Sequence, residues 1–153
     1  MNDIKIELAK GLENIPAAQA IRQKVFVEEQ GFQLEFDGTD PIAWHAVLWL
    51  EQVPAATGRA FPSETEGVFT IGRIAVLPAF RGRDCGSQIV LRLEQAAQEN
   101  GARSIQLCAQ ERALGFYEKL GYRRVGGIVY DESVPHVNMV KQLSNTFEPA
   151  EIY

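Results

Sequence analysis

The stretch IGRIAVLPAFRGRDCGSQIVLRLEQAAQENG, Ile71 to Gly101, decides how this chain is read. An apolar, β-favouring run ends at Leu77. A short loop follows with two arginines and two glycines, Arg81-Gly82-Arg83-Asp84-Cys85-Gly86. An amphipathic helix over Cys85 to Asn100 begins at once, with Ile89, Leu93, Ala96 and Ala97 as its buried stripe and Gly101 just past its end. The first N–H groups of a helix lack partners and its dipole is positive there. A strand, a tight loop and a helix start in this order form an anion site, so the spacing predicts a phosphorylated ligand. Gly82 and Gly86 let the backbone come close to such a ligand.

Working outward, Asp3 to Ala9 alternates as a strand. Pro16 opens a helix carried by Ala17 to Glu29. Gly31 to Pro41 reads as a loop, Ala43 to Leu50 as a strand, Gln52-Val53-Pro54 as a turn, and Ala55 to Ala60 as the returning strand. Val68 to Leu77 and Ser104 to Cys108 are strands on either side of the central helix. Glu111 to Leu120 is a second helix, capped by Gly121. Tyr122 to Tyr130 and His136 to Leu143 are the last strands, and 144–153 reads as a loose tail. Hairpins mixed with one β-α-β unit predict an α/β (α+β mixed) domain. It has a mostly antiparallel sheet of six or seven strands with helices on both faces.

At 153 residues the chain is long enough for one domain. The net charge of −5 argues against nucleic-acid binding, which needs a basic face. No apolar run is long enough to span a membrane and the first residues hold no secretory pattern, so a cytoplasmic protein is expected. Cys85 and Cys108 form no metal-ligand spacing, so no metal is expected. Five acids and no Lys or Arg lie between Glu28 and Asp40, either a solvated loop or a wall that attracts a cation.

The loop Arg81 to Gly86 resembles motif A of the GNAT family of acetyl-CoA-dependent N-acetyltransferases, whose pattern is Gln/Arg-x-x-Gly-x-Gly/Ala. Arg81 and Gly86 match it, and Asp84 stands where the family has its first glycine. Ala109-Gln-Glu-Arg-Ala-Leu-Gly-Phe-Tyr-Glu-Lys-Leu-Gly-Tyr122 resembles motif B, with Tyr117 on the position of the tyrosine that protonates the departing thiolate. The likeness covers the chain to about Leu143, and the Val25 to Gln30 segment resembles the small members of the ElaA and YjcF type.

The resemblance implies that two central strands splay and admit acetyl-CoA between them. It implies a coenzyme site of Ile74, Ala75, Val76, Arg81, Gly82, Arg83, Asp84, Cys85, Gly86 and Ser87, with Gln110, Leu114, Phe116, Tyr117 and Lys119 from motif B. The acceptor implied is an amine, a small molecule sooner than a protein, and a homodimer is open. Tyr117 is the implied acid. Candidate bases are Glu28, Glu29, Asp37, Asp40, His45 and His136, with the acidic segment, Glu29 and Asp40, favoured; Glu28, Glu29, Asp37, His45, Arg73 and His136 are candidate acceptor-side residues. Charge repulsion predicts that the Asp84 side chain points to solvent or caps the helix. A second resemblance, Arg22, Phe26, Phe32, Glu35, Asp37 and Asp40, is to the N-terminal half of acyl-homoserine-lactone synthases, which share the fold. A non-catalytic acyl-CoA sensor is a third expectation.

Overall fold

The computed structural model describes residues 3–143. The tail expected over 144–153 lies outside them. The chain runs β1 (Ile4–Lys10), α1 (Pro16–Arg22), a wide-turned π-helical segment (Gln23–Glu29), β2 (Trp44–Leu50), β3 (Val53–Pro62) and β4 (Val68–Val76). It continues with α2 (Cys85–Glu99), β5 (Ser104–Gln110), α3 (Leu114–Lys119), β6 (Arg123–Asp131) and β7 (Val134–Gln142). One seven-stranded sheet has the order β1-β2-β3-β4-β5-β7-β6. Every neighbouring pair is antiparallel except β4 with β5.

That exception makes the site. β4 and β5 pair only over Val68–Thr70 with Ser104–Gln106, and no further pairing joins them toward Val76 and Gln110. The two strands therefore separate in the middle of the sheet. The β4 edge is also bent by a bulge. Opposite Gly58 its register slips by one residue, and Arg73 there takes a left-handed φ of 54°. Gly58 has room only for hydrogen, because a Cβ would lie 2.5 Å from Ile74 Cδ1 and 2.8 Å from methyl groups of Ile89 and Leu93.

The core is split by the sheet into two layers. On one face α2 lays Ile89, Val90, Leu93 and Ala97 against Leu48, Ala56, Ile71 and Ile105. On the other, α1 and the π-helical segment pack Ile15, Ile21, Val25 and Phe26 with Phe32, Val47 and Ala75. The expected helix over Ala17 to Glu29 thus exists but changes pitch at Gln23. Gln30 N–H bonds Val25 O at 3.0 Å and Phe32 N–H bonds Phe26 O at 2.8 Å, both wider than an α-helical turn.

The turn expected at Gln52-Val53-Pro54 is one step earlier. Glu51 and Gln52 carry it with φ of 50° and 71°, and Pro54 sits inside β3. The β6–β7 hairpin turns the same way at Glu132 and Ser133, φ 50° and 70°. Both match the mirror-image two-residue turn that fits strand twist, without the glycine or asparagine that usually marks it. Among the described residues no helix is long and apolar enough to cross a membrane, and no cluster of His, Cys, Asp and Glu has metal-holding geometry.

Candidate active site

The gap between β4 and β5 opens into a cleft of about 1050 Å3. One wall is β4 and the loop to α2, through Ile74, Ala75, Val76, Arg81, Gly82, Asp84, Cys85, Gly86 and Ser87. The other is β5 and α3, through Gln110, Gly115, Phe116, Tyr117 and Lys119. Its far end is closed by Val25, Phe26, Gln30, Phe32, Leu34, Glu35, Arg73 and His136.

The loop is shaped to leave amides open. Gly82 takes a φ of 81°, and Asp84 takes φ 61° and ψ 14°. An Asp tolerates this left-handed conformation better than most side chains, which is why it can stand where a glycine is usual. Its side chain is exposed and makes no hydrogen bond to the helix start. The first-turn N–H groups of Cys85, Gly86 and Ser87 therefore have neither a helical acceptor nor a side-chain cap. Ser87 Oγ instead donates to Asp84 O at 3.0 Å. At Gly86 a Cβ would stand 3.3 Å from Phe116 Cζ, so the missing side chain lets α3 close on the start of α2. The donors fit a diphosphate, and the cleft behind them fits an extended thiol arm.

Tyr117 is buried and lines the cleft. Its ring stands edge-on to Phe116 at 4.9 Å and to Tyr122 at 5.8 Å. No hydrogen bond to its hydroxyl is formed by any described residue, whereas Tyr122 Oη donates to Glu94 Oε2 at 2.7 Å. Burial pushes the Tyr117 phenol above its ordinary value, so it is held protonated. Gly115, in the same helix, has open space where a side chain would be, and it lines the cleft.

Several expected positions fall elsewhere. Arg83 stays at the surface with its guanidinium 5.9 Å from the Phe80 ring, and Leu114 points into the core. Glu28 is exposed outside the cleft. Glu29 receives both terminal nitrogens of Arg81, at 2.7 and 2.9 Å, and that bond holds its carboxyl below its ordinary value. Arg81 is further tied by Nε to Val76 O at 3.0 Å. It reaches the cleft already paired.

The acidic segment is not the open run read from the sequence. Asp40 is buried, accepting from Arg22 at 2.7 and 3.2 Å, from Arg59 at 2.7 Å and from Asp37 N–H at 3.0 Å. Burial alone would raise its carboxyl, but these donors hold it below its ordinary value. It does not line the cleft and has no room to act as a base there. Asp37 is clamped by Arg59 at 2.7 and 2.9 Å, which brings its carboxyl down to about 2. His45 is wholly buried with Nε2 2.9 Å from Asp40 O. A carbonyl can only accept, so Nε2 carries the hydrogen and Nδ1 is left bare in the core. Burial lowers its basicity, and it too lies outside the cleft.

His136 does line the cleft. Its Nδ1 lies 2.8 Å from Val134 O and must be the donor, which leaves Nε2 as a lone-pair acceptor in the neutral ring. Burial raises the thiols of Cys85 and Cys108, so the helix start does not activate Cys85. Phe26, Phe32 and Glu35 belong to the second resemblance, while Leu34 carried no sequence signal of its own. Phe26 lies on the π-helical segment, and the other three on the loop after it, where Glu132 accepts from Gln33 and Leu34 N–H at 3.0 and 3.1 Å.

The splayed central strands, the open amides at the start of α2 and the phenol in the same cleft define an acyl-CoA acyltransferase. The model of the GNAT acetyltransferase domain matches residues 17–143, and the chain belongs to that family. It is 33% identical over 141 residues to the uncharacterized N-acetyltransferase YjcF of Bacillus subtilis, covering 90% of this chain and 99% of that one. The crystal structure of an acyl-CoA N-acyltransferase from Pseudomonas aeruginosa superimposes with a TM-score of 0.77 at 27% identity, covering 92% of this chain and 99% of that one. Escherichia coli ElaA shares the fold at a TM-score of 0.81 and 23% identity, covering 92% of this chain and 100% of that one. The protein is an acetyltransferase that takes its acyl group from an acyl-CoA.

Proposed function

We propose that this enzyme transfers an acetyl group from acetyl-CoA to a small primary amine by direct attack while both are bound. The observation that carries the reading is one cleft holding unpaired first-turn amides at Cys85 to Ser87 and the unpartnered hydroxyl of Tyr117. The amides bind the diphosphate, and acetyl-CoA supplies the thioester. The backbone N–H of Val76, which the register turns away from β3 toward the separated edge of β4, orients the acetyl carbonyl.

The amine nitrogen forms a bond to the carbonyl carbon and the carbon–sulfur bond breaks. Tyr117 gives its proton to the leaving sulfur and is reprotonated, through water, by the second proton that the attacking nitrogen sheds as it becomes an amide. His136 Nε2 takes the proton that the ammonium must lose, directly or through one water. Glu29 and Asp40, weighed for that task from the sequence, are both committed to arginines. No enzyme nucleophile is needed.

Thermal unfolding with and without acetyl-CoA is the test, followed by free-thiol release over an amine panel. Acetyl-CoA at a hundred times its dissociation constant adds about 2.7 kcal/mol of stability. For a chain of this length that is a rise of about 5–10 °C. Absence of a shift at millimolar acetyl-CoA overturns the reading.

A further inference from the structure

The acceptor end of the cleft is built on a charge network in which every ion has a partner; Arg59 Nε is left without one in the buried interior, and two further unpartnered atoms belong to side chains that line the cleft. Arg22 is fully buried and binds Glu35 Oε2 through Nε at 2.9 Å. Its other nitrogens go to Asp40 and to Glu35 O. Arg59 holds Asp37 and Asp40. Arg73 places Nε 3.2 Å from Glu35 Oε2 and 3.1 Å from Glu35 O, and its Nη2 3.3 Å from Asp37. Three guanidinium groups thus meet three carboxylates, and the cluster as a whole presents no excess charge. Among the described residues, Glu35 Oε1 accepts no hydrogen bond and Arg73 Nη1 donates none. Both side chains line the cleft.

Two further features concern the same spot. Arg73 is held at φ 54° on the β4 bulge, a conformation that costs a non-glycine residue energy and is kept where surrounding structure requires it. Around the pair stand Phe26, Phe32 and Leu34, all apolar and all cleft-lining. A neutral cluster does not select a simple cation, because Arg73 and Arg22 offset the Glu35 field. It offers one negative and one positive atom side by side against an apolar wall.

Resting on the transferase reading above, we propose that the acceptor is a zwitterion, an α-amino acid with an apolar side chain. Glu35 Oε1 receives its ammonium, Arg73 Nη1 its carboxylate, and Phe26, Phe32 and Leu34 its side chain. Glu35 and Arg73 are then substrate-binding residues that set specificity, and His136 remains the proton acceptor.

The test compares three acceptors with one apolar body, L-phenylalanine, L-phenylalanine amide and 2-phenylethylamine, by thiol release from acetyl-CoA. The free amino acid is expected to have a kcat/KM at least about tenfold above the other two, the size of one charge-assisted contact. Arg73→Gly suits the observed backbone and removes the guanidinium, so it should fold, keep the acetyl-CoA thermal shift and bring the ratio toward one. Arg73→Lys, which keeps a charge, should restore part of the preference. Equal or better turnover of phenylethylamine, or a ratio unmoved by Arg73→Gly, overturns the inference and leaves the transferase reading standing. An acetyl-CoA shift with no thiol release from any of the three also overturns it. No shift and no release together overturn the transferase reading itself.

Discussion

The rings of Tyr117 and Tyr122 stand edge to face with centroids 5.8 Å apart, yet their hydroxyls have opposite fates. Tyr122 is bound to Glu94, which also holds Lys141 at 2.9 Å, while Tyr117 has no described partner and lines the cleft. The two phenols can therefore be separated by deletion of one oxygen each. Tyr117→Phe keeps the ring contacts and should leave folding and the acetyl-CoA shift nearly unchanged. Turnover should fall about a hundredfold to ten-thousandfold, the usual effect of losing a general acid. Tyr122→Phe leaves Glu94 short of a donor and should cost about 1–3 kcal/mol of stability with little loss of turnover. Steady-state kinetics and thermal unfolding of both variants decide the matter; a fully active Tyr117→Phe removes its role.

Gly58 is required by the bulge that shapes the coenzyme wall. A methyl group there meets Ile74, Ile89 and Leu93 in a packed layer, and Ile74 lies on the bulged strand. Gly58→Ala should cost about 1–3 kcal/mol through overpacking. For a chain of this length that lowers the melting temperature by roughly 2–4 °C per kcal/mol. Thermal denaturation checks this, and an unchanged melting point shows that the layer can yield.

Asp37 makes a prediction about acid. Its folded pKa lies near 2 against an ordinary value of 3.8, chiefly through hydrogen bonding to Arg59. A depressed carboxyl contributes stability that is present above the unfolded value and is lost as pH falls. The loss runs from about pH 4 toward pH 2. Because Asp37 is over a third exposed, screening limits the effect to about 1 kcal/mol. Asp37→Asn should remove that part of the acid sensitivity. Unfolding free energies of the two proteins should converge at low pH, and a constant gap between them contradicts the assignment.

What the sequence made legible was local. The helix Cys85–Glu99 follows from the spacing of Ile89, Leu93, Ala96 and Ala97, and the tight loop before it follows from its glycines. The acidic segment was misread because its partners are far away along the chain: Arg22 lies 18 residues before Asp40, and Arg59 19 after it. Such pairing appears only after the sheet has brought α1, β3 and β4 together. The bulge at Arg73 was equally hidden, since nothing about an arginine between Gly72 and Ile74 signals a positive φ. The change to π-helical pitch after Arg22 also escaped, because the apolar spacing of Ile21, Val25 and Phe26 fits either pitch.

Asp84 offers the sharpest check on the coenzyme loop. Its exposed carboxylate makes no cap, and its backbone takes the left-handed turn that precedes α2. Two unit charges about 6 Å apart repel by roughly 3 kcal/mol at an effective dielectric near 20 but by under about 1 kcal/mol in water. An exposed side chain belongs near the lower figure. Asp84→Gly should therefore tighten acetyl-CoA binding by less than about tenfold. The same change relieves roughly 1–2 kcal/mol of left-handed strain, at most, while giving the unfolded chain more freedom. Net stability should move by no more than about 1 kcal/mol. Titration calorimetry with acetyl-CoA and thermal unfolding read the two effects separately. A gain in affinity well beyond tenfold means that the carboxylate turns toward the diphosphate, and with it that the open amides of Cys85 to Ser87 are shielded by their own loop.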